Sequence, residues 1–188
     1  MTTNLVRQAE WDAVNNVTAF GPLPADDGFR LWLSRFLPRG PGDCLEIGCF
    51  PGRFLAAMGD LGYRLNWIDL TPRTDVELPQ WLAAQGYDVG TFARADFTTY
   101  PFAQRFQVVS SFGFIEHFTD WHEVLGHHAD LVAPDGFLVI EAPNMAGLLQ
   151  RVLRQLFDKQ NLAGHWTPAM HADCWAAVAL RLGFEILF

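Results

Sequence analysis

The chain has 188 residues, half of them hydrophobic, and a formal net charge of −8 at pH 7. That length suits one domain of about 100–200 residues, and sixteen Phe and seven Trp exclude disorder over most of it. No basic run supplies the face that DNA or RNA needs, so nucleic acid is excluded as a partner.

Cys44, Cys49 and Cys174 show no paired spacing, so neither a disulfide framework nor a metal site is expected, and a reducing compartment is. The N-terminus lacks an apolar leader, and no apolar run approaches the ~20 residues that span a bilayer. The expectation is a soluble, cytoplasmic protein. The many aromatics fit a Phe-rich core or a deep apolar pocket.

In chain order, Gln8, Glu10, Trp11, Val14, Val17 and Phe20 recur at spacings of three and four, which predicts a short amphipathic helix. The Gly21–Gly28 segment breaks it. Asp26 or Asp27 can cap a second helix, Phe29 to Phe36. Then the period changes. Strands are predicted at Cys44–Ile47, Tyr63–Asp69, Val89–Ala95, Phe106–Ser111 and Phe137–Glu141. Helices alternate with them at Arg53–Leu61, Leu78–Gln85 and Trp121–Leu131. A long helix follows at Leu148–Phe157. Thr167-Pro168 opens the last helix, Gly183 ends it, and Phe184 to Phe188 reads as a sixth strand.

This alternation predicts an α/β fold: a Rossmann-like, doubly wound, mostly parallel sheet with helices on both faces. One unit over 1–188 is expected, with 1–40 covering a ligand site, 41–145 forming the core, and 146–188 on the far side. In such sheets ligands bind beyond the C-terminal strand ends, at the switch point of strand order. There lies Asp43-Cys44-Leu45-Glu46-Ile47-Gly48-Cys49-Phe50-Pro51-Gly52: a strand, an acid, a glycine turn and a helix start. Glycine lets a ligand approach the main chain, and the helix aims free N–H groups at it. Asp69, ending the second strand, can accept both hydroxyls of a ribose. Asp96, after the third, can accept from an exocyclic amine, with Phe97 packing on a ring. Each acid alone is as well explained as a turn former.

Together these residues resemble a class I S-adenosylmethionine-dependent methyltransferase acting on small molecules. Glu46 to Gly52 resembles its first motif, an acid followed by Gly-x-Gly-x-Gly. Asp69 and Ala95-Asp96-Phe97 match its ribose and adenine acids. Phe106 to Ser111 with Phe114-Ile115-Glu116-His117-Phe118 resembles its fourth-strand motif. Leu131 to Asn144 resembles its Pro-Gly-Gly turn and fifth strand. The resemblance implies S-adenosyl-L-methionine as cofactor, held by Glu46, Gly48, Cys49, Phe50, Gly52, Asp69, Leu70, Asp96, Phe97 and Ser111. The chain departs from the pattern at Phe50, in place of the middle glycine, at Gln107, in place of an acid, and at Pro134-Asp135-Gly136. The family's antiparallel seventh strand has no counterpart before Phe188, so the chain is truncated there or its edge is open.

Methyl transfer from a sulfonium requires alignment and exclusion of water, and for a hydroxyl acceptor a base. His117, after the fourth strand, is the catalytic candidate; the alternative is a structural hydrogen bond at a helix start. His165 could also serve as base, or cap and sit at the surface, as could His171. His122, His127 and His128 are spaced five and one apart, which places no two on one face for a metal. Trp11 could lid the cofactor or fill the core, and Glu141 and Asn144 could touch the acceptor.

The expected function is transfer of a methyl group to a small-molecule acceptor, with oxygen favoured over nitrogen. An NAD-dependent oxidoreductase would show Gly-x-Gly-x-x-Gly, whereas the chain has Gly48-x-x-x-Gly52. A non-catalytic module that binds the methyl donor is the third reading.

Overall fold

The computed structural model describes residues 4–15, 17–143 and 164–187. Its sheet grows from β1 (Asp43–Ile47), where every residue after Asp43 is buried. Leu45 and Ile47 pack on one face with Ile68 and Val109, while Cys44 packs on the other with Leu65, Trp67 and Val108. A strand buried on both faces is what a parallel, doubly covered sheet demands. Each fully buried Leu or Ile contributes about 1.5–3 kcal/mol.

The remaining strands are β2 (Arg64–Asp69), β3 (Val89–Arg94), β4 (Phe106–Phe112) and β5 (Val132–Glu141). All pair in parallel, in the order β3-β2-β1-β4-β5. The order reverses between β1 and β4, which sets the switch point beside Ile47 and Ser110.

The helices are α1 (Gln8–Asn15), α2 (Gly28–Phe36), α3 (Arg53–Asp60), α4 (Arg73–Ala84), α5 (Trp121–Asp130) and α6 (Ala172–Arg181). Residues from α2, α3 and α4 join the first core, and residues from α5 and α6 join the second. Asp27, rather than Asp26, caps α2, accepting from the amides of Phe29 and Arg30 at 2.9 and 3.0 Å. Such a cap is worth about 1 kcal/mol.

Several boundaries differ from the sequence reading. Helix α4 begins at Arg73 and carries Pro79 inside it, so the proline does not mark its start. Strand β5 begins at Val132, because Pro134-Asp135-Gly136 forms a bulge: Phe106 pairs with Val132 but Val108 with Phe137. Thr167-Pro168 opens a 3₁₀ turn to Met170, and α6 starts only after it. The predicted sixth strand is absent among the described residues. The Phe184 amide instead bonds the Ala179 carbonyl at 3.0 Å, a closure five residues back that spends it on the end of α6. The predicted helix at 148–157 and Asn144 lie outside the described residues.

Candidate active site

The turn after β1 is built from main-chain constraints. Gly48 has φ of +71°, donates to the Ile68 carbonyl at 2.9 Å, and packs so closely that an added Cβ would lie 2.6 Å from Phe114 Cδ2. Only glycine satisfies both the dihedral and the space. Two residues on, the Phe50 amide donates to Asp69 Oδ2 at 2.9 Å, and the Thr71 amide donates to Oδ1 at 2.7 Å. The bulky Phe50 ring is turned onto Phe20, with centroids 5.8 Å apart and edge to face. The Arg73 guanidinium lies 5.3 Å from the same ring. Phe50 therefore forms wall, not obstruction.

A cavity of about 560 Å³ opens beyond the strand ends. Of the sequence-predicted residues, Glu46, Gly48, Phe50, Asp69, Leu70, Asp96, Phe97 and His117 line it. Cys49, Gly52 and Ser111 do not. Cys49 and Ser111 are buried behind the turn and strand, and Gly52 serves as the left-handed residue that opens α3. Trp11, Glu141 and the N-terminal residues Asn4, Val6 and Gln8 add to the lining, as do Gly113 and Phe114. The sequence marked the stretch from Ser110 to Phe114 as a place to look, without giving either residue a named role. Their signal was position, directly after β4 and opposite the Gly48 turn.

Two of the acids at this site, Glu46 and Asp69, are buried. Glu46 is 1% exposed, and one of its carboxylate oxygens has no hydrogen-bond partner among the described residues. Burial, then the charge of Asp69, pushes its pKa well above the usual carboxylate range, against the pull of Arg53. Burial also raises Asp69, opposed by the amides of Thr71 and Phe50. Asp96 is exposed and does form a turn: one carboxylate oxygen accepts from the Thr98 amide and hydroxyl, both at 2.8 Å. It borders the cavity all the same.

At the other end stands His117, on the short 3₁₀ turn Ile115–His117. Its Nδ1 is 2.7 Å from the Gly164 carbonyl. A carbonyl can only accept, so Nδ1 carries the proton and Nε2 the lone pair. The ring thus makes a structural hydrogen bond, to a carbonyl distant in sequence rather than at its own helix start, and the bond uses one nitrogen of the two. Burial lowers the pKa of the ring, with the carbonyls of Gly164 and Gly113 opposing and His165 reinforcing. Trp11 meets the ring edge-on at 6.1 Å, and His165 lies 4.7 Å away, centroid to centroid. The Leu5 amide bonds the His117 carbonyl at 2.8 Å, and Asn4 bridges to Phe118, so the N-terminal segment closes over this end.

The sequence reading found no metal-binding cluster, yet the fold brings three possible donors together. Donor atoms of Glu116, His117 and His165 all lie within 4.8 Å of one another. The grouping was invisible in sequence, because His165 lies far along the chain, beyond β5, and meets the turn after β4 only in the fold. Of the helix histidines, His128 is buried and bonds its own helix at the Val124 carbonyl, while His122 stacks on Trp121.

A family model described as "Methyltransferase domain" matches residues 25–187. The chain belongs to the methyltransferase domain family. Solved structures with the same fold include the BH2331 protein of Bacillus halodurans C-125, with a TM-score of 0.68 and 16% identity over 85% of this chain and 70% of that one. Another is magnesium protoporphyrin IX methyltransferase from Synechocystis PCC 6803, solved with bound SAH, with a TM-score of 0.64 and 15% identity over 96% of this chain and 86% of that one. A third is coclaurine N-methyltransferase, with a TM-score of 0.53 and 16% identity over 66% of this chain; the methyltransferase described here spans only 40% of its length. At these identities the likeness concerns the fold. No curated protein gives a significant match. Among the described residues of this methyltransferase, no helix is long and apolar enough to cross a membrane. Enzymes of this class take their methyl group from S-adenosylmethionine, the cofactor of this chain.

Proposed function

We propose that the chain transfers the methyl group of S-adenosylmethionine to a hydroxyl of a small-molecule acceptor, with His117 receiving the acceptor's proton. The observation that carries this reading is the continuity of one cavity. It runs from Asp96 and Asp69, past Gly48 and Glu46, to His117. Asp96 and Phe97 would hold the base of the methyl donor and Asp69 its ribose, with His117 lining the same cavity. Glu46, with an unpaired oxygen, is placed for a cationic or hydroxyl group of the donor. Residues 1–188 act as one unit in this reading, with 4–24 forming the cover.

In the transfer, a lone pair of the acceptor oxygen forms a bond to the methyl carbon as the carbon–sulfur bond breaks. The electron pair of that bond stays on sulfur, giving S-adenosylhomocysteine. The acceptor's proton passes to His117 Nε2, whose orientation is fixed by the Nδ1–H bond to Gly164. The walls formed by Trp11, Phe114 and Phe118 exclude water from the reacting atoms.

The test pairs binding with turnover. Calorimetry with S-adenosylhomocysteine and with NAD should show binding of the first alone. A panel of phenols, alcohols and amines should then identify an acceptor by methylated product. His117→Ala should keep S-adenosylhomocysteine affinity while losing roughly 10²–10⁴ in kcat, the usual worth of a general base. Binding of NAD alone sinks the donor assignment. Methylation confined to amines, as the name of the coclaurine enzyme would suggest, sinks the hydroxyl assignment.

A further inference from the structure

We infer that Glu116, His117 and His165 form a binding site for a divalent transition-metal ion of the zinc class, at the acceptor end of the cavity. The site stands on donor geometry and goes beyond the methyl-transfer reading.

The donor set comes first. One carboxylate oxygen and two imidazole nitrogens lie within 4.8 Å of one another. Nitrogen with carboxylate suits Zn²⁺ and its neighbours, whereas Mg²⁺ and Ca²⁺ prefer oxygen alone. Around tetrahedral zinc, ligand atoms about 2.0–2.2 Å from the ion sit roughly 3.4 Å apart, so small side-chain rotations close the remaining gap.

The second observation is independent of the grouping. Glu116 is 1% exposed, and its Oε2 has no hydrogen-bond partner among the described residues. A buried carboxylate oxygen left without a partner is costly, and a cation supplies one. No cationic side chain compensates it among the described residues: the charge that acts on Glu116 is that of Glu141, of the same sign.

The surroundings hold the donors in place. His117 Nδ1 donates to the Gly164 carbonyl at 2.7 Å, which leaves Nε2 as the ligating atom. Metal-bound histidines are oriented by such a bond from the other ring nitrogen. The Trp166 amide donates to the Glu116 carbonyl at 2.7 Å, so the segment that carries His165 is pinned on both sides of it to the turn that carries the other two. An ion there takes the lone pair that would otherwise meet the acceptor's proton. Under the reading of His117 as base, the loaded protein therefore turns over more slowly.

The experiment is a titration of the full chain, stripped with a chelator, with ZnCl₂ and separately with MgCl₂, followed by calorimetry. One Zn²⁺ per chain is expected, held at least about tenfold more tightly than Mg²⁺. His165→Asn and Glu116→Gln should each weaken Zn²⁺ binding by about tenfold or more while S-adenosylhomocysteine binding is retained. X-ray absorption at the zinc edge should show nitrogen and oxygen neighbours and no sulfur. Retained S-adenosylhomocysteine binding reports that each variant is folded; if Glu116→Gln fails this check, His165→Asn decides alone. The inference is overturned if no stoichiometric Zn²⁺ binds, if both folded variants bind it as well as the parent, or if sulfur appears in its shell. None of these outcomes depends on knowing the acceptor.

Discussion

The Phe50 amide donates to Asp69 Oδ2 at 2.9 Å, so the glycine turn after β1 and the end of β2 are held by one carboxylate. The Thr71 amide takes the other oxygen at 2.7 Å. Asp69 thus shapes the turn as well as facing the cavity. Asp69→Asn keeps the size but replaces one acceptor with an NH₂ group, which must then meet one of the two amides donor to donor. A loss of about 1–3 kcal/mol in stability is expected, together with weaker S-adenosylhomocysteine binding. Urea unfolding and calorimetry measure the two. Unchanged stability would mean that the two amide bonds contribute nothing net.

Gly48→Ala should be more damaging than its single methyl suggests. The backbone is left-handed there, and the new Cβ would sit 2.6 Å from Phe114 Cδ2. Strain of about 1–3 kcal/mol follows from the dihedral alone. Because Phe114 also lines the cavity, its displacement should weaken ligand binding. Phe114→Ala in the Gly48→Ala background should restore part of the binding lost, by removing the clash but not the strain. A double variant no better than the single one would show that the dihedral, not the contact, governs.

How much of this was legible in the sequence follows from separation along the chain. Leu45 and Ile47 alternate with Cys44, and the glycine turn follows at once, so the strand, the turn and the cavity's place were readable. Asp69, Asp96 and His117 were reached because each ends or follows a strand of the same sheet. That Phe50 must turn aside or form wall was readable, but the ring that receives it was not, since Phe20 lies 30 residues earlier and is fixed by Arg73 of α4. The Glu116–His117–His165 grouping was hidden for the same reason. The sixth strand was misread because Phe184-Glu185-Ile186-Leu187 has a strand's composition, while a main-chain bond to Ala179 keeps its first residue on the helix.

The cover over the turn is latched at Phe20. Its ring stacks on Trp81 at 5.9 Å, meets Phe50 at 5.8 Å, and lies under the Arg73 guanidinium at 4.6 Å. Arg73 also donates to the Thr18 carbonyl at 2.7 Å. Phe20→Ala removes two ring pairs worth about 0.5–1.5 kcal/mol each and should free the segment around it. Limited proteolysis should cut the variant faster between α1 and α2, and bound S-adenosylhomocysteine should protect it less. Equal cleavage of parent and variant would show that the main-chain bonds of the N-terminal segment suffice.

The stability of the fold should fall in mild acid because of His128. This side chain is fully buried, bonds the Val124 carbonyl through Nδ1 at 2.7 Å, and packs its ring 4.7 Å from that of Phe97. Its Nε2 has no partner among the described residues. Burial, with a smaller contribution from His127, lowers its pKa to about 4. In the unfolded chain the value is about 6.5. Between these values the unfolded state holds a proton that the native state refuses, so stability rises with pH across that window. The contribution is complete above pH ~6.5 and is lost as pH falls toward ~4, a span of about 2.5 units or roughly 3 kcal/mol. The buried acids Glu46, Asp69 and Glu116, with raised values, act in the opposite sense, gaining stability as pH falls. The raw curve mixes both. His128→Phe keeps a ring in the same space and removes the titration. Urea unfolding of both proteins from pH 4 to 8 isolates it: the parent's advantage over the variant should shrink by roughly 3 kcal/mol toward the acid end. Parallel curves would show that His128 is protonated in the native state, contrary to its surroundings.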